Sequence, residues 1–130
     1  MFRLILAIPL ALSACQKDET VSGFVNPDQE FQLVEIDGKP FTARATIQFP
    51  EIGQVTGHGP CNRYGTDQTA PYPWLELSGI RATRLDCPDI GLESEYFKVL
   101  GSMSQIEALD ETLILRDDSG REMVFTEIQR

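Results

Sequence analysis

The residues of this 130-residue chain best equipped for chemistry are three cysteines, Cys15, Cys61 and Cys87, a single histidine, His58, and twenty carboxylates. His58 stands three residues before Cys61, so a metal site and a histidine-activated thiol both have to be weighed. Zinc sites draw on two paired ligand clusters of the Cys-x-x-Cys kind, and His58, Cys61 and Cys87 supply three candidates without that pairing. A nucleophilic cysteine needs a free thiolate, which a bond between Cys61 and Cys87 would forbid. The expectation is no metal, no cofactor and no catalytic residue, with His58 a solvated loop residue. A hydrolase built on two carboxylates stays as an alternative; it needs carboxyls about 5 to 9.5 Å apart, and nothing in the sequence selects one pair among the acids.

Cys15 has a different context. Met1-Phe2-Arg3 carries one positive charge, and Leu4 to Leu12 is apolar and interrupted by Pro9. Such a run is far short of the ~20 apolar residues that span a bilayer, and it fits the core of an export signal. Leu12-Ser13-Ala14-Cys15 resembles the bacterial lipobox, with small residues ahead of a cysteine that is acylated and becomes the mature N-terminus. Residues 1–14 then read as a lipoprotein signal peptide. Acyl chains would hold the protein on a bilayer through buried methylene groups. Gln16 stands where an Asp favours the inner membrane in enteric-type sorting, which points to the outer membrane and a domain facing the periplasm. Residues 15–29 are mostly polar after the cysteine and read as a flexible tether. With Cys15 committed to lipid, Cys61 and Cys87 remain as a pair in an exported protein, where a disulfide is the expected state.

Charge narrows the partners. Removing residues 1–14 takes one basic residue, Arg3, from the 11 present and none of the 20 acids, so the net charge moves from −9 to −10. The remaining Lys and Arg are scattered singly, which excludes nucleic acid as a partner.

The elements that must position these residues follow from periodicity. From Glu30 onward, short runs are separated by turn residues at intervals of about ten, the spacing of an antiparallel β domain. Phe31–Ile36 stops at Asp37-Gly38, a hairpin dipeptide. Ala45, Ile47 and Phe49 share one face of a second strand, and Gln54–Gly57 forms a short third. His58–Pro73 reads as a long loop with some extended pairing, and Trp74–Ile80 as a further strand. Leu92, Tyr96, Phe97, Leu100 and Met103 recur at helical period, predicting one helix over about 90–103. Glu93 and Glu95 fall in its first turn, where the helix dipole favours negative charge. Ser104–Leu109, Thr112–Arg116 and Arg121–Ile128 close the chain as two hairpins, so the class is α+β with β dominant.

The most specific text is Gly57-His58-Gly59-Pro60-Cys61-Asn62-Arg63-Tyr64-Gly65, followed by Thr83-Arg84-Leu85-Asp86-Cys87-Pro88. Together these resemble the META domain, or HslJ-like, family of bacterial envelope proteins. Leu33 with Asp37-Gly38-Lys39-Pro40, Glu95-Tyr96-Phe97 with Leu100, and Leu113 and Leu115 with Gly120 agree in order, so the resemblance covers residues 30–130 apart from the last two. Phe31 stands where a Trp is common, and Pro60 replaces a frequent glycine. The resemblance implies an antiparallel sheet or partly closed barrel with one helix packed across it. It also implies association with stress, resistance to a hydrophobic antibiotic, motility or virulence, and no defined reaction.

The motif residues have structural readings. Gly57 and Gly59 permit unusual backbone angles or close approach, Asn62 bonds local backbone, and Arg84 braces the loop. They also have a binding reading, as a pocket lined by Asn62, Arg63, Tyr64, Thr83 and Arg84. The expected function is a membrane-tethered, non-catalytic envelope lipoprotein that binds or protects, with an envelope protein or a small hydrophobic ligand as partner. An inhibitor or partner-binding module is the alternative, for which Ala70-Pro71-Tyr72-Pro73-Trp74 is the candidate surface; the simpler expectation is that Tyr72 and Trp74 cover the core.

Overall fold

A computed structural model describes residues 17–129 together with Ile5 and Ala7. The signal-peptide reading of residues 1–14 otherwise falls on residues outside those described, as does the acylation site, Cys15. Among the described residues there are nine strands, one α-helix and a single 3-10 turn. The strands are β1 (Glu30–Ile36), β2 (Lys39–Pro40), β3 (Thr46–Gln48), β4 (Gln54–His58), β5 (Arg63–Gln68), β6 (Leu77–Ala82), β7 (Gln105–Leu109), β8 (Thr112–Arg116) and β9 (Glu122–Glu127), with α1 (Ile90–Ser102) between β6 and β7.

All the strand pairs are antiparallel. They run in the order β6-β5-β4-β3-β1-β9-β8-β7, with β2 added to β1 as a short hairpin arm. Asp37 and Gly38 both have positive φ, at 52° and 77°, as the tight turn between β1 and β2 requires. The sheet curls into a half-barrel whose two ends are drawn together by residues 73–75. There the Leu75 amide donates to the Ser104 carbonyl, and the Ile106 amide to the Pro73 carbonyl, at 2.9 and 2.8 Å. The hollow is filled by Phe31, Leu33, Ile47, Phe49, Leu113, Leu115, Met123 and Phe125 from the sheet, and closed by Tyr96, Val99, Leu100 and Met103 of α1. Burying each such side chain contributes roughly 1.5 to 3 kcal/mol, which makes this layer the main source of stability.

Four expectations are corrected. Residues 17–29 are held to the domain at several points rather than forming a free tether. Val21 is 1% exposed within the core, the Asp18 carboxylate accepts from the Thr20 amide and from the Thr20 and Ser22 hydroxyls, and Gln48 donates to the Pro27 carbonyl. Val21, Phe24 and Val25 are the only apolar side chains in a polar run, so composition hides them. Six of the sixteen residues of the expected 58–73 loop form the strand β5, whose inward positions are Tyr64, Thr66 and Gln68. Two of those are polar and satisfied by hydrogen bonds, so no hydrophobic alternation appears in the sequence. The strand expected at 74–80 begins three residues later, because residues 73–75 pair instead with the start of β7. Tyr72 is packed against the core, as expected, but Trp74 is 53% exposed, because its backbone bridges to Gln105 and its side chain stays in water.

Candidate functional site

The two motif segments meet at the N-terminal end of α1. Cys61 and Cys87 are disulfide-bonded, with Cα atoms 5.7 Å apart, which ties the β4–β5 turn to the approach of the helix. The turn itself is closed by the Gly59 amide donating to the Asn62 carbonyl at 2.7 Å.

Glu93 holds the other side of this clasp. It lies in the first turn of α1 but is only 4% exposed. Its Oε2 accepts from the backbone amides of Cys61 and Asn62, both at 2.7 Å, and its Oε1 accepts from Asn62 Nδ2 at 2.6 Å. Glu93 stands in the first turn as expected, whereas Glu95 falls beyond it, and the Glu93 side chain is buried there. It occupies the buried stripe three residues before Tyr96, where the apolar pattern is broken, and two turn amides with no strand partner take up its charge. A carboxylate on a helix's apolar face, three positions from a buried aromatic, is the signal that would have located it.

Asn62 carries the brace into the second segment. Its Oδ1 accepts from the Leu85 amide at 2.6 Å and the Thr83 hydroxyl at 2.9 Å, and its Nδ2 also donates to the Leu85 carbonyl at 2.9 Å. The side-chain amide thus uses both donors and doubles its acceptor, so the segment is pinned without help from a cation. Arg84, expected to brace this loop, is exposed and makes no side-chain hydrogen bond or ion pair among the described residues. Arg63 is likewise exposed, on the outer face of β5.

Gly57 and Gly59 serve close approach, since neither has a positive φ. A Cβ at Gly57 would collide with the Thr46 carbonyl oxygen and lie 2.7 Å from the Tyr64 hydroxyl. One at Gly59 would lie 2.7 Å from Glu93 Oε2 and 3.0 Å from the Phe97 ring. His58 is exposed at the end of β4, a strand position rather than the expected loop.

Tyr64 belongs to the core rather than to a pocket wall. Its hydroxyl donates to the Thr46 carbonyl at 2.7 Å and lies 2.7 Å from the Tyr96 hydroxyl. Burial pushes the ionisation of Tyr64 and Tyr96 above the usual tyrosine range, with the proximity of Tyr64 adding to the effect at Tyr96. Stability from these phenols is complete below ~10, where unfolded tyrosines ionise, and is lost as pH rises past it, at about 1.4 kcal/mol per pH unit for each phenol kept neutral by the fold. Denaturant titrations between pH 9 and 11 are expected to show this alkaline loss. In the Tyr64→Phe/Tyr96→Phe protein the slope is expected to be reduced by these two contributions; an unchanged slope would contradict the assignment.

Beside the clasp lies a groove of about 660 Å³ between β6, residues 83–86 and α1. Ile80, Leu85, Ile90 and Phe97 give it an apolar wall, and Arg81 and Arg84 give it a cationic edge. Arg81 is 3.4 Å from Asp67 in an exposed pair, which is worth little, and Asp86 also reaches the rim. Of the five residues expected to line a pocket together, Asn62, Thr83 and Arg84 border this groove, whereas Arg63 and Tyr64 do not. Among the described residues no cluster of three or more His, Cys, Asp or Glu is placed to hold a metal ion.

A family model described as META domain matches residues 24–130. The fold is similar to a solved protein from Burkholderia xenovorans, at 18% identity and a TM-score of 0.64, covering 97% of this chain and all of the other. A second solved structure is similar at 20% identity and a TM-score of 0.62, covering 77% of this chain and 89% of the other. Comparison with curated proteins gives no match.

Proposed function

Because this chain belongs to the META domain family, we propose that it is a non-catalytic binding protein of the bacterial envelope, tethered through acylated Cys15 and taking small amphipathic ligands in the groove beside α1. The observation that carries this reading is the groove itself, in which an unpaired Arg84 stands over the apolar wall of Leu85, Ile80, Ile90 and Phe97. Such a surface suits a hydrophobic body with one anionic group. Glu93, the carboxyl at the groove's base, has both oxygens engaged by three donors and is poorly placed to act as a general acid or base. The disulfide similarly keeps both domain cysteines from nucleophilic work. The lipobox and the short apolar signal support the tether, and Gln16 favours the periplasmic face of the outer membrane.

The probe 1-anilinonaphthalene-8-sulfonate combines an apolar body with one negative charge. It is expected to bind the folded protein with one saturable site. Arg84→Ala is expected to weaken binding about threefold to tenfold, the range for losing one exposed ionic contact with part of its packing. Equal affinity in wild type, Arg84→Ala and Leu85→Ala would remove the groove from consideration.

A further inference from the structure

We infer that the aromatic turn around Trp74 is a membrane-docking face that seats the domain on the bilayer entered by its own lipid anchor; the inference rests on the tether reading above. The length of chain available is the first observation. Asp18, the first residue with a structural role, follows Cys15 by three residues, which span at most about 11 Å when fully extended. An acylated Cys15 would therefore hold the domain against the membrane surface, and some face of it must meet the headgroups.

The packed N-terminal segment identifies that face. The Tyr72 amide donates to the Glu19 carbonyl at 2.6 Å, and the Phe24 ring stacks on Tyr72 with centroids 4.0 Å apart. The chain thus leaves the anchor and settles directly on the Pro71–Trp74 turn, which is closed by the Trp74 amide donating to the Pro71 carbonyl at 2.8 Å. Phe24 is 55% exposed and Trp74 53%, with Pro71 and Pro73 also exposed. Tryptophan and tyrosine are the residues that favour the headgroup level of a bilayer. Exposed Glu19 and Glu76 flank the turn and the chain is acidic, so attraction to anionic lipid would not hold this face down. Aromatic contact does so, and little is needed, because the anchor already fixes a high local concentration.

Trp74 is the only tryptophan in the chain, so its fluorescence reports on this turn alone. The acylated full-length protein, its acyl mass verified by intact-mass analysis, would be reconstituted in phosphatidylethanolamine–phosphatidylglycerol vesicles and compared with Cys15→Ser protein in buffer. The expected result is a blue-shifted emission, reduced acrylamide quenching and quenching by brominated acyl chains. Correct acyl mass with unchanged Trp74 emission would overturn the docking face and leave the tether standing. Absence of acyl mass on protein from native membranes would overturn the tether, and the docking face with it. A shift in native envelope vesicles but none in pure lipid would assign the face to a protein partner and overturn a lipid one.

Discussion

Replacing Glu93 with Ala is expected to cost about 3 to 5 kcal/mol, since it strips the acceptor from two turn amides and from Asn62 Nδ2 and leaves a void on the helix's inner face. Glu93→Gln is expected to cost less, about 1 to 3 kcal/mol. One amide oxygen can still receive both backbone donors at the Oε2 position, but the new amide nitrogen then faces Asn62 Nδ2, donor against donor. Denaturant unfolding of wild type, Glu93→Gln and Glu93→Ala should rank in that order. A Glu93→Ala protein within about 0.5 kcal/mol of wild type would place Glu93 among ordinary surface residues and contradict the clasp. Because Glu93 and Asn62 share a hydrogen bond, the Glu93→Ala/Asn62→Ala double variant should fall short of the sum of the single losses by about 1 to 3 kcal/mol.

Loss of the Cys61–Cys87 bond is the second large effect. Its partners are 26 residues apart in sequence, and a loop of that size gives a chain-entropy stabilisation of about 3 to 4 kcal/mol at 25 °C. For a domain of this size, that corresponds to a fall in Tm of roughly 10 to 20 °C. Cys61→Ser/Cys87→Ser protein and reduced wild type should melt together, well below the oxidised form. A melting temperature insensitive to reductant would show that Glu93 and Asn62 hold the turn without the crosslink. The two devices meet at Cys61, whose sulfur is in the disulfide and whose amide donates to Glu93, so they should also couple: Glu93→Ala should be far more damaging in reductant than out of it.

How far the sequence revealed this arrangement depended on where polar residues sit. The β1–β2 turn, the β7–β8 and β8–β9 hairpins and the span of α1 could be read directly, because Asp37-Gly38 marks a tight turn and Leu113, Leu115, Met123 and Phe125 alternate as half-buried strands do. Strand β5 could not, since Thr66 and Gln68 turn inward and are satisfied by the Ser78 carbonyl and by residues 70 and 76. The motif segments were visible as a resemblance, and their disulfide was expected from reading the chain as exported with two cysteines left to pair. The division of labour within them was not visible. Arg84 looked like the brace and Asn62 a local turn residue; the structure gives Asn62 the long-range bonds and leaves Arg84 in solvent. Glu93 could be read only as a first-turn acid favoured by the helix dipole. Its burial depends on two amides brought from 31 and 32 residues away, a contact that local pattern does not encode.

The clasp has a consequence for function. By pinning Leu85 through Asn62, it presents Leu85 and Arg84 to the groove while both Glu93 oxygens stay engaged by the turn. The most direct measurement is a titration of isotopically labelled protein with 1-anilinonaphthalene-8-sulfonate, read from backbone amide shifts. The account predicts perturbations concentrated at residues 80–86 and along the groove-facing side of α1 from Ile90 to Phe97, saturating together. Shifts confined to Phe24, Tyr72 and Trp74, or spread without saturation over the sheet, would contradict a binding groove beside the helix.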